Sequence, residues 1–205
     1  MAEERELKLA ISEDDARRLL DLWGPPVRTL LQRNDYFDSP DGRLRQARYG
    51  LRLRAEGPRR TLTLKGPTRR DVDLAVRSED EADISHAEAD RILLEGLDPQ
   101  TSSLPALRQL ALRLGVSRVE VLGGIENERT VLVANLGGDR VEILLDRTRY
   151  PDGSIDLELE MECPVGGAWV PELRGRLDAT GIPWRPRREG KFSRFLARGG
   201  ASPRS

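Results

Sequence analysis

The chain has 205 residues, enough for one domain with a sizeable core and too few for two full ones. Lys plus Arg (34) nearly balance Asp plus Glu (35), so no net field advertises a nucleic acid or a membrane, and electrostatic function has to come from local sorting of charge. A single cysteine, Cys163, and a single histidine, His86, exclude an internal disulfide and a Cys-cluster or multi-histidine zinc site, which leaves oxygen ligands for any metal.

The opening MAEERELK has no apolar leader, and no window approaches the length of a membrane span, so a cytoplasmic protein is expected. EERELKLAIS alternates as a strand. SEDDARRLLDLW reads as a helix, with Ser12 as N-cap, Asp15 at the capping-box spacing and Ala16, Leu19, Leu20 and Trp23 at helical intervals. TLLQRNDYFDSPDG is a strand entering a turn at Pro40, Asp41 and Gly42. Further alternating runs are GLRLRAEG, RTLTLKG, VDLAVRSEDEADI, ENERTVLVANL, DRVEILLDRTRY and SIDLELEMEC, separated by Gly, Pro and Asp-Gly breaks. Helical periodicity marks SHAEADRILLEGL, LPALRQLALRLG and, past Pro164 and Gly166-Gly167, AWVPELRGRLDATG; a short helix follows Gly190. One domain over 1–198 with a flexible tail over 199–205 is expected.

The alternation is of an uncommon kind, because the polar face of several strands is charged throughout. Glu4, Glu6 and Lys8 form one row; Arg52 and Arg54 form another, opposite Leu51 and Leu53. Lys65 follows Thr61 and Thr63, Arg77 precedes Glu79 and Glu81, and Glu158, Glu160 and Glu162 face away from Leu157, Leu159 and Met161. Residues two apart lie roughly 6.5 Å apart on one side of a strand. Such rows are ordinarily solvated outer faces, but like charges repeated along a strand repel unless something offsets them. A polyanion together with a divalent cation offsets both signs. If the sheet closes into a barrel with these faces inward, its lumen offers arginines and lysines to phosphate oxygens and glutamates to a metal.

In this order the rows resemble the CYTH superfamily, also called triphosphate tunnel metalloenzymes: E-x-E-x-K at Glu4, Glu6 and Lys8, R-x-R at Arg52 and Arg54, then Lys65, Glu79 with Glu81, and a late E-x-E. The resemblance runs from Glu4 to about Phe195. LQRNDYFDSP, LGGIENERTV with Asn127 and Arg129, DRTRYPDG with Asp146, ELEME and GKF with Lys191 look most like the plant-type tripolyphosphatase branch. Some relatives carry a lysine where this chain has Asn127. The resemblance implies an α+β fold, an eight-stranded antiparallel β-barrel forming a tunnel with helices packed outside. It also implies Mg²⁺ or Mn²⁺, a linear small-molecule triphosphate as substrate, neither nucleic acid nor membrane as partner, and a monomer or homodimer.

On that reading Lys8, Arg52, Arg54, Lys65, Arg129 and Lys191 grip the triphosphate, with Lys191 also acting in catalysis. Glu4, Glu6, Glu158 and Glu160 hold metal, with Asp146 either a further ligand or a strand-end anchor. Glu79, Glu81 and Glu162 are the candidates for orienting a water. Metal-dependent hydrolysis of tripolyphosphate to pyrophosphate and phosphate is the expected activity. A class IV-type adenylyl cyclase, a thiamine triphosphatase and a non-catalytic phosphate-binding module are the alternatives. EGKFS lacks the glycine-rich remainder of a P-loop. His86 is expected on the surface and Cys163 in the packing. Trp23, Trp169 and Trp184 are expected to pack rather than stack on a base, and RPRREGK is weighed as a nucleic-acid patch and set aside.

Overall fold

A strand whose two faces are apolar and charged has to choose which one meets the protein's core, and here the apolar face points out of the barrel. The computed structural model describes residues 2–163 and 169–200. Its strands are β1 (Ala2–Ala10), β2 (Arg28–Asp38), β3 (Gly50–Glu56), β4 (Arg59–Lys65), β5 (Arg69–Asp71), β6 (Leu74–Asp83), β7 (Glu120–Leu136), β8 (Asp139–Arg149) and β9 (Ile155–Glu162). All pairings are antiparallel in the order β1-β9-β8-β7-β2-β3-β4-β6, and β6 returns to β1, closing eight strands with β5 added on the edge of β6. The expected barrel class is thereby met.

The helices are α1 (Glu13–Trp23), α2 (Arg43–Gln46), α3 (His86–Glu95), α4 (Pro105–Leu114), α5 (Val170–Ala179) and α6 (Lys191–Ala197). Helices α1 and α5 cover outward residues of β1, β7, β8 and β9, where Leu7, Leu9, Leu132, Ile143, Leu159 and Met161 pack with Leu19, Leu173, Leu177 and Trp169. Helices α3 and α4 cover Leu51, Leu53, Leu62 and Leu64 in a second cluster. The cores therefore sit between barrel and helices, and the lumen is left to the charged rows.

The helix signals hold. Ser12 and Asp15 form the capping box of α1, and Ser85 caps α3 by accepting from the Glu88 N–H. Helix α2 is an addition that sequence reading missed: the buried Asp38 carboxylate accepts N–H groups of Ser39 at 2.8 Å and Leu44 at 2.9 Å, substituting for a conventional cap. The run from Val72 is corrected. Val72 and Asp73 form a turn between β5 and β6, with Val72 at φ 54°, an uncommon conformation for a β-branched residue. Strand β7 begins six residues before the alternating run because Gly124 lets it approach β2: a side chain there would meet the Asn34 carbonyl at 2.6 Å.

Past the point where β6 leaves β1, residues 185–187 take over its edge. Ala10 donates to the Arg185 carbonyl at 2.9 Å and Arg187 to that of Lys8 at 2.8 Å. This strap leads directly into α6, whose Phe195 packs on Tyr36, Ile125 and Tyr150. Residues 164–168 and the last five residues of the expected tail lie outside the described residues; Gly200 still donates to the Phe195 carbonyl at 3.0 Å.

Candidate active site

The charged rows line a cavity of about 1250 Å³. Thirteen arginines and lysines and nine carboxylates surround it, a local surplus of four positive charges in a chain whose net charge is −1. Every residue of the sequence-derived site reaches it except Asp146 and Glu158, which lie behind its surface and touch residues that do.

Strand register decides who meets whom. Cross-strand pairing sets Asp146 beside Glu158 and Arg129, and Lys8 beside Glu160. The carboxylates of Asp146, Glu158 and Glu160 converge within 4.8 Å of one another, all buried. Arg129 forms a fork on Asp146 at 2.7 and 2.6 Å and reaches Glu160 at 2.8 Å. Lys191, delivered by the first turn of α6, stands 2.8 Å from Asp146 and 2.9 Å from Glu160 and also contacts Glu158. Lys8 bridges Glu160 at 2.7 Å and Glu6 at 3.1 Å. Burial works against these charges, but Lys191, Lys8 and Arg129 hold the Glu160 carboxyl well below its usual range. Likewise Asp146, Glu158 and Glu160 hold the Lys191 ammonium well above its own. Asp146 lies inside β8, not at its end, with its side chain fully buried.

Glu4 and Glu6 do not join this cluster. Arg77 takes them, Glu4 at 2.8 Å and Glu6 at 2.6 Å, and Lys65 lies between Glu4 at 3.2 Å and Glu79 at 2.8 Å. Burial, reinforced by Arg77 and Arg52, pulls Lys65 down to about 8 in spite of those two acids. The candidate metal ligands thus fall into two sets with Lys8 between them, rather than one group.

The third region is short of acids. Arg52 lies 3.7 Å from Glu81 and 4.0 Å from Glu79, and its buried Nε makes no hydrogen bond. Arg54 has no ion pair among the described residues and donates only to Asn34 at 3.1 Å; burial, with Arg52 and Arg129 beside it, lowers it to about 10. Asn127 bonds Gln32 at 3.0 Å and accepts from Thr148 at 2.7 Å, forming a neutral wall between the charged ones.

Among the water-orienting candidates, Glu79 is held by Lys65, and Glu81 accepts from Thr63 at 2.8 Å. Glu162 has neither hydrogen bond nor ion pair among the described residues; burial, with Glu4, Glu6 and Glu79 behind it, raises its carboxyl. Sequence reading gave no role to Arg77, although the alternation marked its row. It also set aside the basic run from Arg185, of which Arg187 pairs with Asp156 at 3.2 Å; Arg194, three residues past Lys191, holds Glu158 at 2.8 Å. Trp169 is core and Trp23 and Trp184 pack against it, Cys163 is buried, and His86 is exposed in the first turn of α3.

A closed antiparallel barrel whose lumen holds converging carboxylates beside Arg54, which has no ion pair among the described residues, defines the class, and the family follows. The CYTH domain model matches residues 2–173, and the chain belongs to that family. Its structure is similar to HpAC1 from Hippeastrum, a candidate adenylyl cyclase with a dominant triphosphatase activity, at 25% identity and TM-score 0.83 over 95% of each chain. It is also similar to a candidate adenylate cyclase from Bacillus halodurans, at 24% identity and TM-score 0.74 over 96% of this chain and 100% of that one. The PH1819 protein of Pyrococcus horikoshii shares the fold at 19% identity and TM-score 0.62, covering 96% and 99%. A comparison with curated proteins gives no match. Among the described residues no helix is long and apolar enough to cross a membrane.

Proposed function

We propose that this protein is a cytoplasmic, metal-dependent triphosphatase that hydrolyses inorganic tripolyphosphate to pyrophosphate and phosphate. The observation that carries the reading is the pair Arg52 and Arg54. Arg54 faces a polar cavity with no ion pair among the described residues, Arg52 meets its acids only at 3.7 and 4.0 Å and donates to Thr63 at 3.3 Å, and a buried charge without close compensation costs several kcal/mol. A multiply charged linear anion supplies what they lack, and the planar fork of arginine matches non-bridging phosphate oxygens. Triphosphatase activity in the structurally similar HpAC1 is consistent with this choice.

Asp146, Glu158 and Glu160 offer hard oxygen donors, the set Mg²⁺ or Mn²⁺ prefers, and Lys191 already marks their meeting point as a place for positive charge. When bound, the metal supplies charge neutralisation on the phosphate oxygens. Arg52, Arg54 and Arg129 hold the chain, and Lys8 and Lys65 spread the charge that develops on the leaving pyrophosphate. Glu162, the candidate without a cation, orients a water and takes its proton as the water oxygen bonds to the terminal phosphorus and the bridging P–O bond breaks.

The test offers tripolyphosphate, ATP and thiamine triphosphate to purified protein with Mg²⁺ or Mn²⁺, following phosphate and cyclic AMP. EDTA-sensitive phosphate release from tripolyphosphate is the expected result. Cyclic AMP from ATP moves the protein to the cyclase reading, and binding without turnover makes it a phosphate-binding module.

A further inference from the structure

Three polar side chains share the inward face of β2, where Gln32, Asn34 and Tyr36 line the cavity at every second position. Two of them are engaged. Gln32 donates to Glu56 at 2.6 Å, and Asn34 accepts from Arg54 at 3.1 Å. Tyr36 is only 5% exposed, and its hydroxyl makes no hydrogen bond among the described residues, whereas a buried tyrosine ordinarily finds a partner for its O–H.

The ring itself is held firmly. It packs on Phe192 and Phe195 of α6 at centroid distances of 4.8 and 5.1 Å, in a cluster with Ile125 and Tyr150. The sheet is irregular at this residue: Tyr36 pairs with Gly123 and Phe37 with Val121, so Leu122 is an extra residue on β7. Bulges of this kind bend a strand and re-aim side chains beside active sites. Gly123 is needed here, at φ 133°, because a Cβ would stand 3.3 Å from the Phe195 ring that backs Tyr36. Packing explains the ring and not the hydroxyl, since phenylalanine would fill the same place.

Around that hydroxyl the charge is positive. Arg52 stands directly opposite on β3, and with Lys191, Arg54 and Lys8 it draws the phenol toward ionisation; burial outweighs all four and pushes the phenol above its usual range. The group therefore keeps its proton and remains a donor. A neutral donor has a use in this place. A fifth cation would repel the four already present, whereas an O–H adds a hydrogen bond to a shared anion without adding charge.

We infer that the Tyr36 hydroxyl donates a hydrogen bond to a non-bridging oxygen of the phosphoryl group that Arg52 holds, which makes Tyr36 a substrate-binding residue of the cavity. The inference rests on the triphosphate reading and deepens it by adding an uncharged contact to a grip otherwise made of arginines and lysines. The stack on Phe192 and Phe195 fixes where the hydroxyl stands, so α6 shapes the grip through Tyr36 as well as through Lys191.

The experiment is isothermal titration of the full chain with tripolyphosphate, without added metal, on the wild type and on Tyr36→Phe, with thermal melts of both ligand-free proteins. Affinity should fall about 10- to 30-fold in the variant, the worth of one hydrogen bond to a charged oxygen, while the melting temperature holds or rises because the ring stays and no hydrogen bond within the protein is lost. Unchanged affinity overturns the contact and leaves Tyr36 to packing; a loss of affinity accompanied by a lower melting temperature overturns it in favour of a structural role. Either result leaves the triphosphate reading intact. Weaker binding by the variant, at an undiminished melting temperature, in a protein whose wild type releases no phosphate when Mg²⁺ is added, keeps the contact and overturns the hydrolase reading. A wild type that does not bind tripolyphosphate overturns both.

Discussion

Two walls of the cavity handle charge in opposite ways. On β8 and β9, Asp146, Glu158 and Glu160 each have a cation within 3 Å, supplied by Arg129, Lys8, Lys191 and Arg194. On β3, Arg52 reaches its acids only at 3.7–4.0 Å and Arg54 reaches none. The carboxylates of the first wall are satisfied by the protein's own ammonium and guanidinium groups; the guanidinium groups of the second have no acid as close. Burial alone does not make a charge functional, and the informative charge is the buried one that the fold leaves uncompensated.

The largest expected effect breaks the first wall. Glu160→Gln should lower tripolyphosphate turnover by about 10³-fold or more and abolish protection of the fold by Mg²⁺ in thermal melts, because one substitution removes a donor and unsettles Lys8, Arg129 and Lys191 together. Arg129→Met should cost roughly 3–5 kcal/mol in denaturant unfolding, since it strands Asp146 and Glu160 in a buried place. Arg54→Met sharpens the contrast by its sign. It should raise the melting temperature of the ligand-free protein while raising KM for tripolyphosphate by about 30- to 100-fold, the worth of a charge-assisted contact.

Between the walls lies Lys65. With its pKa pulled down to about 8, it is charged in the free protein below that pH, and an anion favours the charged form. Affinity for tripolyphosphate should therefore be full below about 8 and fall by about tenfold between pH 8 and 9.5; Lys65→Arg should flatten that decline. The smallest effect belongs outside the barrel. Arg28 and Glu142 make a pair at 2.9 Å but are half exposed, and Arg28→Ala should change stability by less than about 0.5 kcal/mol. A larger loss would mean that the inner and outer faces differ less than their burial indicates.

Much of the barrel was legible because alternation is a local property. GLRLRAE and IDLELEME announce one apolar and one charged face whatever surrounds them, and Ser12 with Asp15 announces a helix start. The elements that escaped depend on contacts distant in sequence. Helix α2 exists because Asp38 caps it from six residues away, and the extension of β7 needs Gly124 pressed against β2.

The same division runs through the site. Composition and row order determined that the chain would line a lumen with arginines, lysines and carboxylates, because side-chain direction along a strand follows from its period of two. Register, barrel closure and the return of α6 decided the rest. They separated Glu4 and Glu6 from Asp146, Glu158 and Glu160, gave Arg77 its two glutamates and placed Lys191 among the late acids. They also left Arg54 and Glu162 without an ion pair among the described residues, and Arg52 with acids only at 3.7 and 4.0 Å. Which charges neutralise one another is a matter of ångströms between strands far apart in the chain, and that distance is set only when the sheet closes.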